Sequence, residues 1–250
     1  MRLQTLSSFF FISIFFACYS ICQSQTLQED STLLAKAQQH LNNLHNEYIG
    51  NESALYNGRQ YVVYAHTINE GIPFFVTKDL NNGTVVYNGV TYKNVPLLYD
   101  IFKNMLITIV PVSNYLIQLN NSKISSFSLL NHYFINIEKD SAEKVIKPGF
   151  YDVLYNGKIA AYKKQIKTLG EDLSTSKLRT FIIDGTSYYI KKDNKYYSIS
   201  NKGSLLSVLK DKKKQVQDYM KKNKLNIRED KDNVIAKVAA FYDQLLITQN

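Results

Sequence analysis

Four short turn signals of one kind constrain this chain more than anything else in it: Tyr56-Asn57-Gly58, Tyr87-Asn88-Gly89, Tyr155-Asn156-Gly157 and Ile183-Asp184-Gly185. Asn-Gly and Asp-Gly accept positive φ at both centres of a two-residue type I′ turn, whose twist matches that of antiparallel strands. Such a turn also sets register. At the first, Tyr56, Tyr61 and Val63 are expected on one face. At the second, Val85, Tyr87, Val90 and Tyr92 share a face, with Thr84, Val86, Thr91 and Lys93 opposite. The fourth groups Phe181, Ile183, Tyr188 and Ile190, and Asp193-Asn194 closes a further hairpin. One apolar and one mixed face is the pattern of an antiparallel sheet packed on one side.

Strand-like runs also cover residues 74–78, 106–110, 125–129, 133–138 and 158–166, giving about ten strands between Tyr56 and Ser200. Residues 95–102 are apolar on both parities, so they read equally as a buried strand or as a short helical turn. Helical spacing appears on either side of the sheet. Leu34, Ala37, Leu41, Leu44 and Tyr48 form one stripe ending at Gly50. Leu205, Leu209, Val216 and Tyr219 predict a helix over 204–223, and Val234, Val238, Phe241 and Leu245 a second one with Asp232 as N-cap. The predicted class is α+β: a meandering antiparallel sheet, flat or curved as far as a barrel, with an N-terminal helix and two C-terminal helices.

Arg2 is the one charge in the first 28 residues, and an apolar run from Phe9 to Ala17 follows it. That run is far shorter than the roughly 20 residues of a transmembrane helix. A basic start, a short apolar middle and small residues beyond it predict a secretory signal peptide over 1–24, cleaved after Ser24. The competing reading is a lipoprotein anchored at Cys18. The expected organisation is then signal peptide 1–24, N-terminal helix 25–50, β region 51–202 and helical region 203–250 packed on the same domain. Cys18 and Cys22, the only cysteines, fall in the discarded segment, which removes cysteine nucleophiles and thiolate metal sites from the mature chain.

The net charge of +9 is unevenly placed. Residues 25–157 carry 9 basic and 11 acidic side chains, residues 158–250 carry 20 and 10. Lys210, Lys212, Lys213, Lys214, Lys221, Lys222 and Lys224 fall within one 15-residue window. On a continuous helix Lys210, Lys213, Lys214 and Lys221 share a side and Lys212 projects elsewhere. These seven are the candidate binding residues, for an acidic envelope protein, anionic lipid headgroups or an acidic glycan. The plainer reading is a solvated helix face. Nucleic acid is not expected, because an exported chain rarely meets it and no recognition motif is present.

No catalytic motif occurs: no Gly-x-Ser-x-Gly elbow, phosphate loop, dinucleotide fingerprint, calcium loop or His-Glu-x-x-His. His40, His45, His66 and His132 lack metal-site spacing, so neither a metal nor a cofactor is expected. Asp100, Asp152 and Asp243 each follow a tyrosine inside an apolar run, an arrangement from which a Tyr-Asp acid site could be built. The 19 tyrosines, in a chain without Trp, are read mainly as core, with an exposed aromatic patch as the functional alternative.

Three stretches carry a resemblance. They are Tyr87-Asn88-Gly89-Val90-Thr91-Tyr92-Lys93-Asn94-Val95-Pro96-Leu97-Leu98-Tyr99-Asp100, Gly149-Phe150-Tyr151-Asp152-Val153-Leu154-Tyr155-Asn156-Gly157, and the ending from Leu209-Lys210-Asp211-Lys212-Lys213-Lys214 to Asn223-Lys224-Leu225. Together they resemble a group of uncharacterised secreted proteins of Bacteroidota-type bacteria that pair such hairpins with a Lys-rich helical C-terminus. The resemblance implies a cell-envelope location and assigns no catalytic residue. The leading expectation is a secreted envelope protein, periplasmic or outer-membrane associated, that binds a partner without catalysis. The alternatives are a carrier of a small apolar ligand inside the sheet and a hydrolase with a Tyr-Asp site.

Overall fold

The computed structural model describes residues 54–64, 67–111, 113–138, 145–173 and 178–247, together with residues 33, 36, 37 and 41. The expected signal peptide and most of the N-terminal helix lie outside the described residues. Among the described residues from Ala54 onward, the chain forms one eleven-stranded antiparallel sheet followed by three α-helices. The strands are β1 (Arg59–Gln60), β2 (Asn81–Tyr87), β3 (Val90–Asp100), β4 (Met105–Ile109), β5 (Leu116–Gln118), β6 (Ile124–Leu129), β7 (His132–Ile137), β8 (Gly149–Asn156), β9 (Ala160–Asp172), β10 (Arg179–Lys192) and β11 (Lys195–Ser198). The helices are α1 (Lys202–Val208), α2 (Lys213–Lys222) and α3 (Lys231–Ile247).

The spatial order is β1-β5-β4-β3-β2-β6-β7-β8-β9-β10-β11, so the sheet stays open, with β1 and β11 at its edges. It is nonetheless strongly curled. Tyr99 on β3 and Phe150 on β8 are four strand spacings apart, about 19 Å in a flat sheet. Their ring centroids lie at 5.7 Å. Asn121, between β5 and β6, makes the same point: its amide donates to Asn104 O, while Asn136 on β7 donates to Asn121 O. The inside of the curl is filled by rings. Phe127 stacks on Phe134 at 4.7 Å, and Phe75, Tyr99 and Phe150 meet that pair edge-on. Burial of each such ring contributes on the order of 2–3 kcal/mol. Residues 67–71 cross to the far side and lay one parallel bridge on β10, with Asn69 N donating to Thr180 O and Ile182 N to Glu70 O.

Several turns depart from expectation. Asn88-Gly89 is a true type I′ centre, with φ of 51° and 76°, and Val85 pairs with Tyr92 as its register requires. Asp193-Asn194 is another, with both φ positive. Asn57-Gly58 leads instead from a 3-10 turn (Ala54–Tyr56) into edge strand β1. Asp184-Gly185 lies in the middle of β10, where Lys167 of β9 pairs with Asp184 at 2.7 Å and Ile166 faces Gly185. Because β10 is continuous there, Phe181 and Ile183 lie on the face of Tyr189, not with Tyr188 and Ile190. Residues 74–78 form no strand, although Phe74 bridges Asp100. Residues 95–100 are strand, completing β3 before a turn.

The helices cover one face of β8–β10. Leu205, Leu206 and Leu209 join Val216 and Met220 of α2 and Val234, Ile235, Val238, Ala239 and Tyr242 of α3 over Ala161, Tyr188 and Ile190. Asn201 and Ser204 form a capping box at the start of α1. The single helix expected over 204–223 is broken at Lys210–Lys212, a 3-10 turn. The cause is Asp211, drawn aside to Lys192 Nζ at 2.6 Å and to the Tyr242 hydroxyl at 2.7 Å. At α3, Asp230 caps Asn233 N, while Asp232 turns inward to Tyr188 OH and Lys163 Nζ.

Candidate anion-binding surface

Helix α2 buries Val216 and Met220, and Tyr219 stacks on Phe241 of α3 at 4.0 Å with the rings 5° from parallel. That anchoring fixes which way the lysines point. Lys213, Lys214, Lys221 and Lys222 are exposed, as are Lys210 on the preceding turn and Lys224 just past the helix. Lys212 is half-buried and stands apart from this set. The helix break removes the continuous wheel on which Lys210 was placed beside Lys213, so the basic face is carried by α2 and its two flanking turns. None of the six exposed lysines has an ion-pair partner among the described residues. Of the two acids in this stretch, Asp211 is committed to Lys192, and Asp218, exposed on α2 at helical spacing from Lys214, Lys221 and Lys222, makes no ion pair with them. Burial works against the Asp211 charge, but the Lys192 and Tyr242 hydrogen bonds hold its carboxyl below the usual range.

The three singled-out carboxylates are not brought together, for each has its own donors. Asp100 accepts from Tyr61 OH at 2.8 Å, Tyr64 OH at 2.6 Å and Lys103 N at 2.8 Å. Asp243 accepts from Tyr155 OH, Lys158 N and Ile159 N. Asp152 lies 2.7 Å from His132 Nδ1. Burial pushes the Asp152 carboxyl up, and the His132 and Lys163 charges oppose that. The His132 ring is 39% exposed and packs edge-on to Phe75. This His-Asp contact has no signal in the sequence, since it depends on the register of β7 against β8. His40, His45 and His66 lie outside the described residues.

A cleft of about 850 Å³, lined by none of the six lysines, lies between the start of α1, the α2–α3 link and Tyr188. Its rim mixes Lys202, Arg228 and Lys231 with Glu229, Asp230 and Asp232. Lys231 is occupied, donating to Ser200 O at 2.8 Å and lying 4.6 Å from the Tyr188 ring centroid. Among the described residues no group of three or more His, Cys, Asp or Glu could hold a metal ion, and no helix is long and apolar enough to cross a membrane.

Lys164 on β9 is perturbed downward. Lys164 Nζ donates to Pro148 O at 2.7 Å and sits 4.6 Å from the Tyr151 ring centroid. Burial, and then the Lys147 charge, lower its amine to about 8. Folding therefore favours the neutral amine, and stability rises with pH from about 8 toward the ordinary lysine range. The expected gain is about 1 kcal/mol after solvent screening of a partly exposed group. Thermal melts at about pH 7.5 and about 9.5 should show the rise in the wild type and a flat response in Lys164→Met. The window closes near pH 10, where tyrosines whose hydroxyls are pushed up by burial, such as Tyr56 and Tyr162, begin to act in the opposite sense. An equal rise in the variant would mean that Lys164 is not the titrating group.

No family model, no curated protein and no solved structure matches the chain.

Proposed function

We propose that this protein is an exported, non-enzymatic binding module that attaches to an anionic surface through the lysines of α2 and its flanking turns. The observation that carries the reading is the set of six exposed ammonium groups, without ion-pair partners among the described residues, held outward by the buried side of α2. Unpaired like charges repel one another within about a Debye length, so the cluster gains most when an anionic partner approaches. The ring-filled interior of the curl supports this reading over a carrier, since the space that a ligand would use holds the protein's own side chains. The separate donor sets of Asp100, Asp152 and Asp243 give a hydrolytic site no shared centre. Export rests on the N-terminal reading and on the resemblance, and places the basic face where anionic lipid is available.

The probe is a vesicle of mixed zwitterionic and anionic phospholipid. Each lysine near such a surface contributes about 1 kcal/mol at low salt. The triple substitution Lys213→Gln, Lys214→Gln and Lys221→Gln should therefore weaken cosedimentation about 30- to 150-fold at low salt. It should also flatten the loss of wild-type binding between about 50 and about 500 mM salt. Wild-type binding that ignores salt, or a triple variant that binds unchanged, would defeat the proposal.

A further inference from the structure

The β9–β10 hairpin runs on past the strand beside it. β8 pairs with β9 only as far as Lys163, so residues 164–172 have β10 as their one strand partner among the described residues. Nine residues in extended form give an open outer edge about 30 Å long. The two ends of the sheet are built differently. β1 has two residues and carries Arg59, and β11 has four and begins with Lys195. Short, charged edges of that kind resist pairing. The outer edge of β9 is long, has no proline and stands beside apolar side chains: Ile166, Leu169 and Ile183 are exposed. Phe181 pairs with Gly170, and its ring covers the glycine, where a Cβ would fall 2.6 Å away. Strand alternation puts Ile166, Phe181 and Ile183 on one face. A two-stranded ribbon is marginally stable alone and gains from a further strand. The bridge from Glu70 supplies one at Phe181 only, and on the β10 side.

The charge pattern of this edge says which strand fits it. The open stretch begins with Lys164, has Lys167 in its first half and ends on Glu171 and Asp172. A strand that is basic at one end and acidic at the other is its own complement when turned end for end. Lys167 is already held by Asp184 inside the chain. The Lys164 ammonium rests on the carbonyls of Lys147 and Pro148, which leave its charge unneutralised for an outside acid. At the other end Glu171 is exposed and makes no ion pair among the described residues. Antiparallel pairing centred on Thr168 sets Lys164 against Asp172 of the second strand at both ends. It also puts Ile166 beside Gly170 with its Phe181 cover. Opposite charges directly across are favourable and like charges are not. Centring on Lys167 would oppose two lysines, and centring on Leu169 would set Ile166 against Asp172. In-register parallel pairing would place lysine on lysine and acid on acid. A two-fold axis normal to the sheet keeps Ile166, Phe181 and Ile183 of both copies on one face, so the apolar stripe becomes continuous.

We infer that a second copy of this chain is the partner of this edge: two copies join β9 to β9, antiparallel about Thr168, into one continuous β10-β9-β9-β10 sheet. The contact uses none of the lysines of α2. The mature chain expected from the N-terminal reading, residues 25–250, has no cysteine, so single cysteines report the contact. Thr168 residues opposed across the axis have Cα atoms about 4.5–5.5 Å apart, within disulfide reach. Thr168→Cys should therefore give a disulfide-linked dimer with copper–phenanthroline as oxidant. Thr186→Cys, on β10, would lie at least about 14 Å from its mate and should cross-link at least about ten-fold more slowly. Sedimentation velocity of the unsubstituted chain from about 1 to about 100 µM should show the mass rising to that of a dimer. Ile166→Lys, at an exposed position, should raise the dimer Kd at least about ten-fold. Near-UV circular dichroism checks that the variants keep the fold. The α2 triple variant should dimerise as the wild type does, which separates failure here from failure of the vesicle proposal. A monomer throughout that range would overturn the inference, as would equal cross-linking at the two cysteine sites or unchanged dimerisation of Ile166→Lys.

Discussion

Replacing Asp243 by alanine is expected to lower the free energy of unfolding by about 3–5 kcal/mol, one of the two largest single effects in the molecule. Asp243 sits on α3 and is 4% exposed. Its carboxylate reaches across to the β8–β9 connection, accepting from Lys158 N at 2.6 Å, Ile159 N at 3.2 Å and Tyr155 OH at 3.0 Å. Two consecutive backbone N–H groups aimed at one carboxylate make charge-assisted bonds, roughly twice as strong as neutral ones. Alanine leaves these donors without their acceptor next to Ile159, which is buried, and it unties the helix from the sheet. Gly157 belongs to the same device. A Cβ there would fall 2.1 Å from Asp243 Oδ2, so this glycine is required by the close approach of the carboxylate rather than by a positive φ. Guanidinium unfolding of Asp243→Ala should show the loss with an unchanged m-value, and Asp243→Asn about half of it. Gly157→Ala should be destabilising for the steric reason, and should add less than its full effect to Asp243→Ala. A change below about 1 kcal/mol in Asp243→Ala would show that the helix is held by its apolar face alone.

How much of this was legible in the sequence depends on whether the cause is local. Asn88-Gly89 reads correctly because a two-residue turn fixes its own strands, and Val85, Tyr87, Val90 and Tyr92 follow from it. Asp184-Gly185 has the same letters and makes no turn, because β9 supplies thirteen successive partners along β10, including Lys167 for Asp184. Local propensity loses there to pairing with a strand that the local window does not contain. The helical region shows the same division. Its apolar spacing gives the helices, but the break at Lys210–Lys212 follows from Asp211 meeting Lys192 and Tyr242, which are 19 and 31 residues away. The basic face was legible as composition, and only the burial of Val216 and Met220 turns it into a direction.

The Tyr-Asp pairs show why adjacency in sequence misleads. On a strand, neighbours point to opposite faces. Tyr99 therefore goes to the ring cluster and Asp100 to the other side, and Tyr151 and Asp152 likewise part company. On α3 the hydroxyl of Tyr242 goes to Asp211 while Asp243 goes to the β8–β9 connection. Each aspartate that binds a tyrosine takes one from far along the chain: Tyr61 and Tyr64 for Asp100, Tyr155 for Asp243. No window of sequence holds those partners, so the adjacency from which a Tyr-Asp acid site could be built is not the pairing that the fold makes.

Asp100→Ala should be the other severe change, at about 3–4 kcal/mol, and it has a diagnostic signature. Asp100 is fully buried at the end of β3 and collects three donors. Lys103 closes the arrangement from above, with Nζ 4.6 Å and 4.2 Å from the Tyr61 and Tyr64 ring centroids and a bond to Val62 O at 2.8 Å. Burial first, and then the adjacent Asp100 carboxylate, push both tyrosine hydroxyls up, so they stay protonated donors across the physiological range. Removing only the acceptor leaves two hydroxyls unbonded, and removing only the hydroxyls, in Tyr61→Phe with Tyr64→Phe, leaves a buried carboxylate with one N–H. Each half-deletion therefore carries the penalty of an unsatisfied group as well as the lost bond. Removing both sides together avoids much of that penalty. The triple variant should thus be less destabilised than the sum of the two by at least about 1.5 kcal/mol, read from urea unfolding. Strict additivity would mean that the three groups do not act as a unit. Proteolysis supplies an independent check: Asp100→Ala should expose residues 61–64 to cleavage, because their polar tie to β3 is gone while the apolar core under β4 and β5 remains.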